Sequence, residues 1–512
     1  MIHTDLIASI PDLLARQSQN RGDKVAYRDK HRSVTYAALN QRTADLAGHL
    51  ADQGLEVGGR VAIWLPNSVN WIESCLATAR AHGIAVPISY EATTSEAIYR
   101  LDDADCRTLI TTADKVTALE ESYDNFGKLA NIITVDPGDN HYDDLVATAP
   151  STPPRDPADI DGCAYIVYTS GTTGQAKGVM LSTRSMLWVT AACWAPIADV
   201  SVDDIILSPL PLFHSYALNL SVLSVLAAGA TEYIVEKFSP SEVLSLIASE
   251  GITVMPGVPT MFHYLLQTAK DDGIKSFPKL RLMISAGAIM PATLNQEFED
   301  WFGVPLLDGY GITETATMVT MNWLTGQREP GSCGLPLPGL ATRIVDAGTG
   351  LDVEAGAEGE IIVRGPNLML GYHNKPEATA AAIRDGWYHT GDLARYDAAG
   401  FVTITGRLKE LIIRGGQNIA PAEIEETVMT FAGVGDCAVV GQPHKELGEV
   451  PVVFIVEQAD QAVDEAALLA HCRKKLSSYK IPVSVHKTTG IPRTGSGKTM
   501  RFKLTETLAD AG

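Results

Sequence analysis

A chain of 512 residues, 46% hydrophobic and 20% charged, is too long for a single core and has the composition of a folded protein, not a disordered one. Its formal net charge of −21 argues against nucleic acid and anionic membranes as partners, so an anionic ligand needs a local pocket of donors and a cation. The seven cysteines, at 75, 106, 163, 193, 333, 437 and 472, include no C-x-x-C pair; they give no support to a zinc or dithiol site and read as reduced, core-filling thiols.

In chain order, residues 1–17 are amphipathic and lack the basic start and long apolar block of a secretory signal, so a cytoplasmic location is expected. Strand patterns at 61–65, 85–88 and 108–112 flank a helical pattern at 71–81. An apolar strand at 164–167 runs into a polar loop. The apolar stretch 217–230 is too short to span a bilayer. Helices at 241–249 and 259–270 then alternate with strands at 252–255 and 282–285. This order predicts parallel α/β layers.

From residue 331 to 406 the chain is Gly-rich, with short strands at 341–345, 359–364 and 401–405, as in a small β-barrel or twisted sheet. A fresh α/β unit follows, with helices at 422–431 and 465–476 and strands at 437–441 and 450–456. The predicted fold is therefore α/β. Residues 1–406 form a large N-terminal domain of layered α/β subdomains with a small β-barrel-like portion, and residues 407–512 form a small α/β C-terminal domain.

The densest chemistry lies in Tyr168-Thr-Ser-Gly-Thr-Thr-Gly-Gln-Ala-Lys-Gly178. Glycines let backbone N–H groups turn toward an anion, the hydroxyls of Thr169, Ser170, Thr172 and Thr173 add donors, and Lys177 adds charge. Such a loop grips a polyphosphate, although a similar run is equally a polar turn. It is not a Walker A loop: neither Gly171–Lys177 nor Gly495-Ser-Gly-Lys-Thr499 has the G-x-x-x-x-G-K-[ST] spacing, and Pro492 stands where the leading glycine of the second would be.

This segment resembles the signature loop of the adenylate-forming superfamily: acyl- and aryl-CoA synthetases, adenylation domains of nonribosomal peptide synthetases, and beetle luciferases. Four more segments match in order: Asp308-Gly-Tyr-Gly-Ile-Thr-Glu-Thr315, Tyr388-His-Thr-Gly-Asp-Leu393, Gly406-Arg-Leu-Lys-Glu-Leu-Ile-Ile-Arg-Gly-Gly416 and Pro492-Arg-Thr-Gly-Ser-Gly-Lys498. Five ordered matches span nearly the whole chain.

The resemblance implies ATP, Mg²⁺ and coenzyme A. It places the nucleotide on Thr169, Ser170, Gly171, Thr172, Thr173, Gly174 and Lys177, then on Ala288 and the run Asp308, Gly309, Tyr310, Gly311, Ile312 and Thr313. Tyr310 stacks on adenine, Asp308 lies beside its amino group, and Thr313 meets the α-phosphate. Glu314, with Thr172, holds Mg²⁺ as a hard oxygen ligand. Asp392 and Arg407 meet the ribose. Lys498 bridges the acid and the α-phosphoryl oxygens during adenylation, which with Thr313 and Glu314 makes the catalytic set. Lys409 is the hinge on which the C-terminal domain turns, and Gly415 and Gly416 line a thiol tunnel in the second state. Read as isolated residues, Thr313 and Glu314 are ordinary helix caps, Asp392 a turn residue, and Lys409 and Lys498 solvated charges.

The resemblance builds the acid pocket from Phe213, His214 and Ser215, from Val258, and from Ala286, Gly287, Gly309 and Thr317. Residues 209–222 contain no Asp or Glu to pair a substrate ammonium, which disfavours an amino acid. Residues 205–222, 252–266 and 283–322 contain no Lys or Arg to pair a second carboxylate. A neutral-tailed fatty or aryl acid is expected. His214 is expected to line the pocket without moving a proton. Gly287, Gly309 and Gly311 leave two readings open, a channel for a long chain or close nucleotide approach.

The expected activity is an AMP-forming acid–thiol ligase of fatty-acid or related metabolism, with coenzyme A as acceptor. The alternatives are a ligase that loads a carrier-protein phosphopantetheine and a non-catalytic nucleotide sensor. No nucleic-acid partner is expected, and a homodimer is compatible.

Overall fold

The computed structural model describes residues 1–136, 141–169, 176–415, 417–458, 461–493 and 499–510. The chain divides into two compact units, Met1–Ala341 with Arg364–Tyr388, and Thr342–Val363 with His389–Gly512. The strands just before residue 407 thus cluster with the residues after it. One reason is local: a side chain on Gly406 would stand 3.2 Å from the Cβ of Ala420.

Among its described residues, the first unit holds two large sheets. One has nine strands, in the order Leu335–Pro336, Thr320–Met321, Leu306–Tyr310, Leu282–Ser285, Val254–Gly257, Ile205–Ser208, Thr231–Ile234, Val25–Arg28 and Ser33–Thr35. The six strands from Leu306–Tyr310 to Val25–Arg28 are parallel, and the outer ones antiparallel. Val254–Gly257 and Leu282–Ser285 are buried at every position, as parallel strands covered on both faces must be. The other sheet has seven strands, in the order Gly371–Tyr372, Lys177–Ser182, Cys163–Thr169, Ile84–Pro87, Arg60–Trp64, Thr108–Thr111 and Asn131–Thr134.

The helices between strands start where side chains cap them. Ser68 accepts from Trp71 N–H before Val69–Arg80, and Thr93 forms a capping box with Glu96 before Thr94–Asp103. Val69–Arg80 is buried on nearly every face. It carries Glu73 into the core, where Arg42 clasps its carboxylate at 2.5 and 3.0 Å.

The apolar stretch 217–230 becomes three successive helical turns, Ser215–Ala217, Leu218–Ser224 and Val225–Ala228. The middle one is wound wide, with i→i+5 hydrogen bonding, and so is Thr190–Trp194 beside it. Both segments are wholly buried. Trp194 Nε1 donates to Asn219 Oδ1 at 2.6 Å, and Thr190 and Ser224 share a hydroxyl contact of 2.8 Å. Among the described residues, no helix is long and apolar enough to cross a membrane. All seven cysteines are free and six are buried, with Cys163 half-buried.

The second unit begins with the strands Ala341–Val345, Gly359–Arg364, Trp387–Tyr396 and Val402–Arg407. Its other sheet sets Gln417–Ile419, Ile412–Arg414, Gly448–Glu457 and Val434–His444 side by side, with Val485–Lys487 along Gly448–Glu457. The helices Pro421–Met429, Glu465–Lys475 and Arg501–Asp510 belong to the same unit.

Candidate active site

Parallel strands end at one edge of their sheet, so loops far apart in sequence are delivered to one place, the usual ligand edge of an α/β sheet. Four adjacent strands do this here. Ser285 is in register with both Gly257 and Asp308, and Val254 with Ile206. Beyond their carboxyl ends come residues 209–215, Val258, Ala286–Ala288 and Gly311–Glu314. Tyr216 fastens the first loop by donating its hydroxyl to the Ile284 carbonyl at 3.2 Å.

The strand Leu306–Tyr310 carries Asp308 into the interior, 7% exposed. Its Oδ1 is buried without a hydrogen-bond partner among the described residues. Burial pushes this carboxyl well above the usual carboxylate range. Asp308 lines a cavity of about 270 Å³ shared with Asn322 and Ser332. An orphaned acceptor in a polar cavity suits a ligand amino group. Tyr310 follows, half-buried at the strand end.

Gly309 and Gly311 are explained by packing. A Cβ on Gly309 would meet Met318 Cε at 2.4 Å, and one on Gly311 would lie 1.3 Å from the Thr317 carbonyl oxygen. These two glycines serve the chain's own close approach and leave no channel. Gly287 differs: it has φ +91°, and a Cβ there would meet only Val258 Cγ1, at 3.6 Å. Ala288 beside it is exposed.

After Gly311 and Ile312 the chain makes one tight turn, Thr313–Thr315, and then adopts positive φ at Ala316 (50°) and Thr317 (109°). For a β-branched residue this is strained backbone that its surroundings must hold. Four side-chain bonds do so. Asn219 donates to the Ala316 carbonyl at 3.2 Å. Asn367 donates to the Thr315 and Met318 carbonyls at 3.0 and 2.9 Å. Thr317 Oγ1 donates to the Ser215 carbonyl at 2.9 Å. The turn thereby presents Thr313, whose hydroxyl lies 3.1 Å from that of Ser215, and Glu314.

His214 caps the short helix Ser215–Ala217, its Nδ1 accepting from Tyr216 N–H at 3.3 Å. Burial lowers its pKa to about 4, so the ring is neutral at pH 7. Phe213 is half-buried beside it, and Val258 and Ala286 are buried.

In the other sheet, Thr169 and Lys177 are paired positions on the antiparallel strands Cys163–Thr169 and Lys177–Ser182. Ser170, Gly171, Thr172, Thr173 and Gly174 lie outside the described residues. The strand pair is fastened near this end: Tyr168 donates to Asp103 at 2.6 Å, and Tyr99 donates to the Ala176 carbonyl at 2.8 Å. Strand Gly371–Tyr372 pairs with Met180 and Val179. There the Lys177 ammonium sits 4.8 Å from the Tyr372 ring centroid. The Tyr372 hydroxyl donates to Glu314 Oε1 at 2.9 Å and lies 3.3 Å from the Tyr388 hydroxyl. Burial and the Glu314 carboxylate hold the Tyr372 phenol above its ordinary range, so it stays a donor. Glu314 Oε2 takes no hydrogen bond among the described residues, and a carboxylate oxygen of this kind could serve a hard cation as ligand.

The second unit carries the remaining expected residues. Asp392 and Arg407 are paired positions on neighbouring strands and form an ion pair at 2.7 Å, with Asp392 almost fully buried. Lys409 is exposed in the turn Leu408–Glu410. Gly415 has φ +58° and donates its N–H to the Leu447 carbonyl at 2.7 Å. Gly416 and Lys498 lie outside the described residues. Arg493 and Thr499 bridge across the segment that holds Lys498, and Arg493 binds Asp436 at 2.8 and 2.9 Å.

Sequence reasoning passed over Tyr372, Asn219 and Asn367. Tyr388 stood in a matched segment without a role. Tyr372 carries one faint signal, a Gly-Tyr pair just ahead of the Pro376–Ala382 helix. The asparagines carry none, since a buried amide looks like any polar residue until its partners are placed.

Comparison with known proteins adds to this geometry. The AMP-binding enzyme family matches residues 14–373, and the AMP-binding enzyme C-terminal domain matches residues 423–498. A feruloyl-CoA synthase of Amycolatopsis sp is 35% identical over 97% of this chain and 98% of its own length. Among solved structures, ATP-bound MatB from Rhodopseudomonas palustris has a TM-score of 0.90 at 33% identity, covering 98% of this chain and 99% of that one. The anthranilate CoA ligase AuaEII, in complex with anthranoyl-AMP, has a TM-score of 0.93 at 27% identity with both chains fully covered.

Proposed function

The chain belongs to the AMP-binding enzymes, in the acyl-CoA synthetase branch of the adenylate-forming superfamily, and from that premise we propose how its residues divide the work and which acid they take. The protein is an AMP-forming acid–thiol ligase. It activates a carboxylic acid with ATP and transfers the acyl group to coenzyme A.

In the first half-reaction a carboxylate oxygen attacks the α-phosphorus of ATP and pyrophosphate leaves. Thr313 is proposed to donate to the α-phosphoryl oxygens, and Lys177 and the other residues of the 169–177 segment to hold the outer phosphates. Lys498 is proposed to neutralise the charge that builds between acid and phosphate. Asp308 accepts from the adenine amine, and Asp392 with Arg407 holds the ribose. Mg²⁺, held by Glu314, would neutralise phosphate charge. In the second half-reaction the thiol attacks the acyl carbonyl carbon and AMP leaves. A turn of residues 407–512 about Lys409 is proposed to bring Gly415 and Gly416 to the thiol path, exchanging one constellation for the other.

The acid is proposed to be a neutral-tailed fatty or aryl acid. One observation carries this: the side chains expected around it are uncharged. Phe213, Val258, Ala286 and Thr317 bear no ionisable group, and burial keeps His214 neutral. A second carboxylate there would lack a cation, and an ammonium would lack a carboxylate. The cytoplasm, and fatty-acid or aryl-acid metabolism, are the setting proposed, supported by the acidic, disulfide-free chain. Transfer to a carrier-protein phosphopantetheine is the competing second step.

The deciding experiment measures AMP release across fatty, aryl, dicarboxylic and amino acids, with coenzyme A or holo-carrier protein as acceptor. Turnover of fatty or aryl acids with coenzyme A is expected. Preference for a dicarboxylic acid would overturn the assignment of the pocket.

A further inference from the structure

Lys177 opens a strand of the seven-stranded sheet, Glu314 lies in the turn after a strand of the nine-stranded sheet, and Tyr372 touches both of these opposite charges. Among the described residues, Lys177 makes no ion pair; its ammonium rests on the Tyr372 ring, 4.8 Å from the centroid. Among the same described residues Glu314 makes no ion pair either, and its side chain takes one hydrogen bond, from the Tyr372 hydroxyl at 2.9 Å. The phenol is fixed from two directions. Its backbone pairs with Val179 in the strand that begins at Lys177, and its N–H donates to Thr379 at 2.9 Å. The Tyr388 hydroxyl stands 3.3 Å from its own. A lysine and a glutamate converging on a half-buried site attract strongly. A direct ion pair would spend both charges on each other and would have to break before a polyphosphate and its cation could enter.

We propose that Tyr372 is a positioning residue for nucleotide binding: its ring parks the Lys177 ammonium and its hydroxyl occupies one oxygen of Glu314, which keeps the two charges apart and leaves Oε2 aimed for the metal. The ring acts by cation–π attraction, which holds the ammonium without neutralising it. The hydroxyl acts by a charge-assisted hydrogen bond, which fixes the carboxylate without competing for its second oxygen. The two halves of one side chain therefore serve two different parts of the ligand. The inference rests on the reading of Lys177 and Glu314 as phosphate and metal groups.

The two halves separate by substitution. Tyr372→Phe keeps the ring and removes the hydroxyl, and Tyr372→Leu removes both. Calorimetric titration with ATP, in excess MgCl₂ and separately in excess EDTA, reads each part without turnover, and thermal unfolding reports the fold. The expected result for Tyr372→Phe is a loss of about tenfold in Mg·ATP affinity with metal-free ATP affinity unchanged, the scale of one hydrogen bond to a charged group. Tyr372→Leu is expected to weaken metal-free ATP as well. If Tyr372→Phe binds Mg·ATP as the wild type does, the positioning role is wrong. Equal losses in MgCl₂ and EDTA with a lowered melting temperature also overturn it, in favour of a packing role. If the wild-type protein binds ATP in neither buffer, the reading of the site itself fails. If it binds ATP and makes acyl-adenylate while Tyr372→Phe is unaffected, this inference alone fails.

Discussion

The hydroxyls of Ser215 and Thr313 lie 3.1 Å apart, and through them the loop after the strand Ile205–Ser208 meets the turn after Leu306–Tyr310. One stretch is proposed to face the acid and the other the α-phosphate, which would set this contact where the two substrates react. Thr313→Val keeps the shape and removes the donor. It is expected to lower the rate of acid-dependent pyrophosphate exchange about a hundredfold, the usual cost of one preorganised donor to a developing charge. Ser215→Ala is expected to cost less, about threefold, because Thr313 keeps its own hydroxyl. Equal losses in the two variants would place the reacting atoms elsewhere.

Gly311 and Gly287 make opposite predictions. A methyl group on Gly311 has no room, since it would fall 1.3 Å from the Thr317 carbonyl oxygen. Gly311→Ala is expected to destabilise the protein by about 3 kcal/mol or more, measured by urea unfolding. Gly287→Ala meets only Val258 at 3.6 Å, so its cost is the backbone strain at φ +91°, about 1 kcal/mol. It is expected instead to shift the acid preference, read as relative kcat/KM across chain lengths.

His214 ties stability to pH. Its folded value is about 4 against an ordinary 6.5. Below pH 6.5 the unfolded chain takes up a proton that the folded ring refuses, so the unfolded state gains. Stability is therefore expected to fall as the pH drops from 6.5 toward 4. His214→Asn is expected to flatten the melting temperature over that window. Adenylation in the wild type is expected to show no inflection near 6.5 from this ring.

Asn367 is fully buried, and its amide nitrogen serves two carbonyls of the strained turn. Asn367→Ala leaves both acceptors dry and unpaired, at a cost of about 2–4 kcal/mol. Because Ala316 and Thr317 are then free to relax, Glu314 loses its placement. The expected signature is a raised Mg²⁺ requirement on top of the lowered melting temperature.

Much of this architecture was legible from periodicity. The strands at 61–65, 108–112 and 282–285 and the helices at 241–249 and 259–270 announce themselves because apolar runs bounded by turn residues have few other fates. The strand expected at 252–255 lies two residues later, at Val254–Gly257, where Pro256 is tolerated in a strand that is not at an edge. The site was legible in parts but not as an assembly. Glycines 309 and 311 read equally as a channel or as close nucleotide approach, and the positions of Met318 and Thr317 supply a reason neither reading contained, the chain's own packing. Tyr372 and Glu314 are 58 residues apart, and no local pattern says that one hydroxyl meets the other carboxylate. Asn219 lay inside a stretch whose apolar character masked its polar contacts with Met186, Trp194 and Ala316.

The wide turn Leu218–Ser224 gives that asparagine a further consequence. A wide turn accommodates one more residue than an α-helical turn needs, so the residues within it project at angles that ordinary winding does not offer. Removing one residue from this segment would restore ordinary winding, about 100° per residue, and so change the angles at which its own side chains project relative to one another. Asn219 could then no longer span Met186, Trp194 and Ala316 together while Ser224 stays on Thr190. The length of this segment, counted to the single residue, is thus a gauge for the turn Thr313–Thr315, and a one-residue deletion within the segment should disable the enzyme more thoroughly than most substitutions along it.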